Sequence, residues 1–493
     1  MGSALTGILE KLDPYTVLMD EHESSEFQEV AEGRYIGIGI TTVMSIDQFP
    51  RIVSILDGYS ADRAGLKLGD KVISINGVSL KGKTTVEIGR LFDGDVNSEI
   101  ILGIERENVQ DMLMYRLFRT EIVMNDVSVW QVLEKKYCYV KLSRFSKEAG
   151  LDMQQTLRMV RDSLNRMNAI LKGVVLDLRG NPGGLLSSAV AVASLFLEGG
   201  RLVVSTKAKN MAKTDIYSSS MDTSTFLKKI PLVVIVDGMS ASASEVVAGA
   251  FQDLDRAVIL GERTFGKGLV QGIYPLQNGK VLKMTNSEYF TPSGRTIQTM
   301  NYFNNENSDK KDSIKKTYKT SSGRTVAEKG GVMPDVLVKT DSLTTFEKVL
   351  LEKSLYFEYV IKNQLKLKNR TSKKNQDAEL FNDFFDFLKS QNIRFTSDSR
   401  QKWKELLKEV RLSKDSVLEN KLNLFYLTIK DNLEVPSDRL KQKILMDINL
   451  EMERIKGEEY YHKSVLRQDV VVKEAVSILS NYGIYKKILN LSK

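Results

Sequence analysis

The sequence predicts three kinds of structure in series: a small β-rich module, a larger α/β layered core, and a long helical region. Three observations carry this. At 493 residues the chain exceeds what one hydrophobic core can organise. Two continuous apolar runs, Gly173–Leu178 and Pro231–Val236, are each followed by a helical pattern, as in a parallel sheet covered on both faces. Beyond about residue 341 apolar residues recur at helical spacing with almost no proline.

Residues 1–33 read as a short, acidic, helical lead. From 34 to 107 strand patterns alternate with turn signals: Arg51–Leu56, then Asp57-Gly58, then Lys71–Ile75 into Asn76-Gly77, a helix Thr85–Leu91 and a strand Glu99–Arg106. Residues 108–340 form the α/β core. Its elements are a strand Tyr137–Leu142, a helix Leu151–Ala169, the run at 173–178, a helix Leu185–Leu197, the run at 231–236 and a helix Ser242–Leu254. Strands follow at Ala257–Leu260, Leu269–Pro275 and Val281–Phe290. Within this core, about 301–330 is polar and lysine-rich and reads as a mobile insertion. Residues 341–493 read as a helical bundle, suited to homo-oligomer formation or to capping a site.

Composition narrows the chemistry. The only cysteine, Cys138, excludes an internal disulfide and a thiolate zinc cluster. The two histidines, His22 and His462, lie near opposite ends and beside no evident nucleophile, so a base must come from Lys, Asp, Glu or Tyr. Basic and acidic residues, 71 and 63, are interspersed, which argues against nucleic acid as a partner. No apolar run is long enough for a transmembrane segment. The chain opens on Met1-Gly2-Ser3 and enters a helical pattern directly, as an engineered start or a chain relieved of its leader would.

Three segments carry chemistry. In Asp237-Gly-Met-Ser240-Ala-Ser242-Ala-Ser244-Glu245 a buried strand ends, small residues turn, and a helix begins. A serine there faces unpaired backbone N–H groups that favour a developing anion, although the same composition serves an ordinary N-cap. In Gly261–Gln271, Lys267 sits between glycines and beside Phe265, Leu269 and Val270. An amine in apolar surroundings loses its proton more readily and can act as a base; Gln271 carries an amide able to orient it. In Asp177-Leu-Arg-Gly-Asn-Pro-Gly183-Gly184 the glycines admit a ligand close to the backbone. Gly183 or Gly184, with Ala243, would supply an oxyanion hole.

Two patterns are decoys. Gly261–Lys267 resembles part of a phosphate loop, but Gly268 replaces the hydroxyl that would hold Mg²⁺, and a strand follows rather than a helix. Ser313–Lys316 satisfies S-x-x-K within the polar stretch and lacks a scaffold.

Together these segments resemble the carboxy-terminal processing peptidases, or tail-specific proteases. The shared motifs are the Leu-Asp-Leu-Arg-x-Asn-Pro-Gly-Gly turn, the Ser-Ala-Ser-Ala-Ser-Glu run, the Thr-Phe-Gly-Lys-Gly-x-Val-Gln segment, Tyr289–Arg295 and Gly330–Asp335. The resemblance implies a Ser-Lys protease core of the crotonase/ClpP-like layered kind, with Ser242 as nucleophile, Lys267 as general base and Gln271 in support. It implies no cofactor, and periplasmic or other exported localisation. The module at 34–107 resembles a PDZ domain, in which Gly37-Ile38-Gly39-Ile40 would capture a peptide's terminal carboxylate. The implied partners are unstructured protein C-termini. Where relatives carry Leu-Arg-Gly, this chain has Leu91-Phe92-Asp93-Gly94, which puts the arginine's coupling role in doubt. A non-catalytic peptide-binding scaffold of the same fold, the main rival, would be marked by loss of Ser242, Lys267 or the glycine turn, and all are present. A signalling adaptor with a relic core is a second rival, separable by active-site acylation.

Overall fold

In the computed structural model, the described residues are 7, 9, 11–208, 214–221, 225–276, 279–299, 316–327, 330–339, 343–368, 374–391, 398–413, 415–426 and 437–491. They divide into two compact units.

The first unit comprises Met1–Tyr35, Val123–Lys339 and Leu466–Lys493. Its central sheet runs, in spatial order, Val127–Leu133, Tyr137–Leu142, Gly173–Asp177, Leu232–Val236, Val258–Gly261 and Val336–Leu337. Every pair after the first is parallel. Successive residues of a strand point to opposite faces, so the continuous apolar runs feed two cores. Val174 and Leu176 join Leu232 and Val234 under the helices Ala149–Arg166, Leu186–Ser194 and Ala243–Asp253. Val175 and Val233 face the other way, against Val471, Val472, Ala475, Ile478 and Leu479 of the helix Val470–Ser480. Each fully buried Val, Leu or Ile contributes about 1.5–3 kcal/mol, so this last helix is integral to the sheet. A second sheet joins Val17–Met19, Val281–Phe290, Leu202–Ala208 and Thr214–Ser218, with Leu269–Pro275 also paired to Val281–Phe290.

The second unit comprises Ile36–Ile122 and Thr340–Val465. Five strands, Ile40–Met44, Pro50–Ile55, Lys71–Ile75, Glu99–Glu105 and Leu113–Phe118, form a sheet in that order. Asn76 (φ 49°) and Gly77 (φ 79°) make the expected left-handed turn. Helices Thr345–Glu352, Leu355–Lys362, Lys374–Ser390 and Asp438–Lys456 bury Phe346, Leu350, Tyr356, Phe384 and Ile444 together. Arg51 of the sheet is ion-paired with Glu358 of the helices at 2.8 Å, both nearly fully buried.

Three boundaries differ from the sequence reading. The β-rich module continues past 107, because Leu113–Phe118 pairs antiparallel with Glu99–Glu105. Residues 466–493 belong with the core rather than with the helical region, because their apolar face covers the sheet. In the polar stretch, 316–327 is a packed hairpin rather than a loose insertion: Thr317–Lys319 pairs with Thr325–Ala327, and Arg324 bonds Asp255 and Asp335. Residues 301–315, with Ser313 to Lys315 of the S-x-x-K pattern, lie outside the described residues.

Candidate active site

The strand Leu232–Val236 delivers the chain to Asp237, whose Oδ1 accepts the N–H groups of Met239 and Ser240 at 3.0 Å and so folds the turn. Three serines follow, and their surroundings separate them. Ser240 donates its hydroxyl to the Leu178 carbonyl at 2.8 Å, and Ser244 donates to the Asn181 carbonyl at 2.9 Å. Both clamp the neighbouring glycine turn. Ser242 lines a cavity of about 330 Å³, shared with Lys267, Gly183, Gly184, Gln271 and Tyr289.

Ser242 has φ 56° and ψ −114°, a conformation that costs a non-glycine residue roughly 1–3 kcal/mol. It persists because its surroundings hold it. The Ser242 N–H donates to Glu245 Oε2 at 3.0 Å. The same buried carboxylate accepts the Gly266 N–H at 2.7 Å, the Lys267 N–H at 2.8 Å and the Thr264 hydroxyl at 2.6 Å. Glu245 thus ties the serine turn to the lysine turn. Its pKa is pushed up by burial, against the pull of these donors.

Lys267 has its pKa lowered to about 8, chiefly by burial and further by the neighbouring Lys283 ammonium; Glu245 and Asp13 pull the other way. Phe265, read from the sequence as part of the apolar setting, is half exposed. Val270, also read from the sequence, lines the cavity with Lys267, and the Tyr15 ring centroid lies 4.6 Å from the amine. Gln271 lines the cavity, but its Nε2 donates to the Leu269 carbonyl at 3.3 Å and to Thr285 Oγ1 at 3.2 Å.

The glycine turn approaches the serine so closely that a side chain has no room. A Cβ on Gly183 (φ 106°) would lie 2.8 Å from Ser242 Cβ, and one on Gly184 (φ 148°) would lie 2.2 Å from the Phe145 carbonyl oxygen. Gly183 donates its N–H to Asn181 Oδ1 at 2.9 Å. The N–H groups of Gly184 and Ala243 meet no acceptor among the described residues. Ala243 opens its helix, where no intrahelical acceptor exists. Gly184 is bridged through its neighbours, Gly183 O and Leu185 N, to Phe145, so its own N–H faces away.

Below the turn, Asp177 accepts from Arg179 and from the Tyr139 hydroxyl at 2.7 Å. Arg179 also reaches Asp469, at 2.7 Å, which caps the helix Val470–Ser480. Tyr289, quoted from the sequence only as part of a motif, is buried and lines the same cavity as Ser242. Burial pushes its pKa up.

In the second unit, Ile38 is buried and Gly39 (φ 82°) turns against Tyr59, while Gly37 ends one strand and Ile40 opens the next. The carbonyls of Ile38 and Gly39 accept the N–H groups of Ala61 and Leu56. Their own N–H groups meet no acceptor among the described residues. At the Leu91–Gly94 departure, Arg119 donates to the carbonyls of Leu91 (3.3 Å) and Phe92 (2.7 Å) and holds the end of that helix from outside.

Residues 136–302 match the family described as peptidase family S41, 51–106 match a PDZ domain, and 346–479 match the C-terminal helical domain of a probable PDZ-protease. The chain belongs to peptidase family S41. It is 34% identical over 296 residues to a carboxy-terminal-processing protease of Bartonella bacilliformis, covering 60% of this chain and 66% of the relative. To a probable CtpA-like serine protease of Staphylococcus aureus (strain bovine RF122) it is 28% identical over 440 residues, covering 86% and 79%. The chain spans 57% of the length of another such relative, from strain N315. A solved structure, the photosystem II D1 C-terminal processing protease, is 26% identical, covers 68% of this chain and 81% of that one, and has a TM-score of 0.38. The S41 match ends before the last strand of the central sheet and includes neither Tyr15, whose ring lies against Lys267, nor Asp469, which pairs with Arg179. No helix of the described residues is long and apolar enough to cross a membrane.

Proposed function

We propose that this S41 chain is a serine endopeptidase that cuts proteins near their carboxy-terminal tails through an acyl-enzyme on Ser242, with Lys267 as general base. The carrying observation is that a strained serine and a dehydrated lysine line one cavity, their backbones pinned to one carboxylate, Glu245. In this reading Lys267 Nζ takes the Ser242 proton as Oγ attacks the scissile carbonyl. The oxyanion that forms is met by the N–H groups of Gly184 and Ala243; Gly183, whose N–H is engaged by Asn181, shapes the hole instead. The C–N bond breaks as Lys267 returns the proton to the leaving amine. Water then repeats the sequence against the ester and frees Ser242. Gln271 acts through Thr285 rather than by direct contact, and Tyr289 aligns the serine hydroxyl. The chemistry asks for no cofactor.

The PDZ module is assigned to substrate capture, with the free N–H groups at Ile38 and Gly39 receiving a tail's carboxylate. An exported location and assembly through the helical region complete the reading. The deciding experiment labels the protein with a fluorophosphonate, a reagent that forms a covalent bond to an activated serine. Wild type, Ser240→Ala and Ser244→Ala should label, and Ser242→Ala should not. Labelling of Ser242→Ala at the wild-type rate, or cleavage of a tail-bearing unfolded protein by it, would overturn the assignment.

A further inference from the structure

The segment that precedes the PDZ module folds back into the core beside the lysine. Asp13, nearly fully buried, accepts the N–H groups of Tyr15 (2.8 Å) and Thr16 (2.9 Å) on Oδ1 and the Thr16 hydroxyl on Oδ2 (2.7 Å). Thr285 closes the arrangement from the opposite strand: its N–H donates to Thr16 Oγ1 and its hydroxyl to Asp13 Oδ1. Immediately afterwards Val17 pairs with Lys283. Tyr15 is therefore fixed on both sides, by a carboxylate-centred turn and by a strand, with its ring against the Lys267 amine.

We propose that Tyr15 is a positioning residue for the hydrolytic site, its ring forming the wall that keeps the Lys267 amine from water and directs it toward Ser242. This rests on the reading of Lys267 as the base. The remaining charged groups facing the amine are Glu245 from the serine helix, Lys283 from the strand Val281–Phe290 and Asp13 from the same turn. Arg144 and Tyr289 share its cavity. Changing Tyr15 replaces none of these side chains, and the backbone N–H that Tyr15 donates to Asp13 remains. A ring beside a cation has two opposed consequences. Its face attracts the ammonium, by roughly 0.5–2 kcal/mol, while its bulk excludes the water that stabilises that charge. Burial is the largest influence on Lys267, so exclusion wins and loss of the ring raises the pKa.

The test follows fluorophosphonate labelling of the full chain from pH 6 to 10, with thermal unfolding as a check on folding. Tyr15→Ala should label roughly 10- to 100-fold more slowly at pH 7, with the acid limb of the rate profile displaced to higher pH. Tyr15→Phe should restore both rate and limb. If Tyr15→Ala unfolds, Tyr15→Val, which keeps part of the packing but leaves the amine open to water, is read in its place with the same expectation. A wild-type rate and unmoved limb in the ring-less variant would overturn the proposal, as would a Tyr15→Phe defect equal to that of Tyr15→Ala. Lys267→Ala separates the two levels. If it is inert while Tyr15→Ala is normal, only the role of Tyr15 fails; if it labels normally, the base assignment fails and takes the role of Tyr15 with it.

Discussion

On the proposed mechanism, the pKa of Lys267 sets how fast Ser242 can be acylated at each pH. An amine titrating at its ordinary 10.5 would be neutral in roughly one molecule in 3,000 at pH 7; lowered to about 8, it is neutral in roughly one in ten. Burial with Lys283 nearby therefore raises the fraction of competent base by roughly 300-fold, equivalent to about 3 kcal/mol. The rate of Ser242 labelling should rise about tenfold per pH unit up to a break near 8 and level off above it. Intact-mass measurement of the modified protein supplies the rate. Lys267→Met and Lys267→Arg should remain at background throughout, since neither offers a neutral amine. A break above pH 10 would show an ordinary solvated lysine and refute the reasoning; so would rapid labelling of Lys267→Arg.

The same shift has a stability consequence of definite sign. The folded state binds the Lys267 proton less tightly than the unfolded chain does. A penalty is therefore fully present below pH 8, shrinks between about 8 and 10.5, and is gone above. Lys267→Met should accordingly be more stable than wild type at pH 7, by at most about 3 kcal/mol, with the difference vanishing by pH 10.5. Denaturant melts at pH 7 and 10.5 check it, and a difference that grows with pH would contradict it.

Four further outcomes are expected. Ser242→Gly should raise stability by about 1 kcal/mol while abolishing labelling, because glycine adopts the positive φ freely; urea midpoints measure this. Glu245→Ala strands three backbone N–H groups and should cost roughly 3 kcal/mol or more together with most of the labelling rate; a loss below about 1 kcal/mol would remove it as the tie between the two turns. Asp469→Ala loses a helix cap and a partner of Arg179 and should cost roughly 2 kcal/mol in denaturant melts, whereas Asp469→Asn, which retains the cap, should cost about half as much. Amidating the C-terminus of an unstructured substrate should weaken binding to the PDZ module by roughly 1.5–3 kcal/mol, read by titration against the free-acid peptide; equal affinities would remove tail recognition.

What was legible in the sequence was what local pattern determines. The strands Leu269–Pro275 and Val281–Phe290 lie where alternation and turns placed them. The continuous runs at 173 and 231 are strands covered on both faces. The choice of Ser242 among three serines rested on resemblance, and what sets it apart in the structure is not local: the hydroxyls of Ser240 and Ser244 are engaged by Leu178 and Asn181, about sixty residues earlier. Tyr15 and Asp469 left no signal of their long-range contacts. The strand Val17–Met19 has three residues, too few to show a period, and its place is set by pairing with Val281–Lys283. Asp469 reads as an ordinary N-cap, and only the fold brings Arg179 to it, 290 residues away. The module boundary at 107 failed for a related reason: the alternation in Leu113–Phe118 identifies a strand but not which sheet it joins.

The placement of Glu245 raises an electrostatic question that its hydrogen bonds answer. It sits in the first turn of the serine helix, where a carboxylate stabilises the helix. Yet a bare negative charge there opposes the oxyanion that the proposed mechanism places at Gly184 and Ala243, and in a buried site that repulsion is weakly screened. Both Glu245 oxygens are instead occupied by four donors, three backbone N–H groups and the Thr264 hydroxyl, and the side chain does not line the cavity. The donors spread its charge into the walls that hold the two turns. One buried group thereby fixes the strained backbone of the proposed nucleophile and that of the proposed base from outside the cavity. Removing it should therefore cost position and stability before it alters the charge of the oxyanion hole.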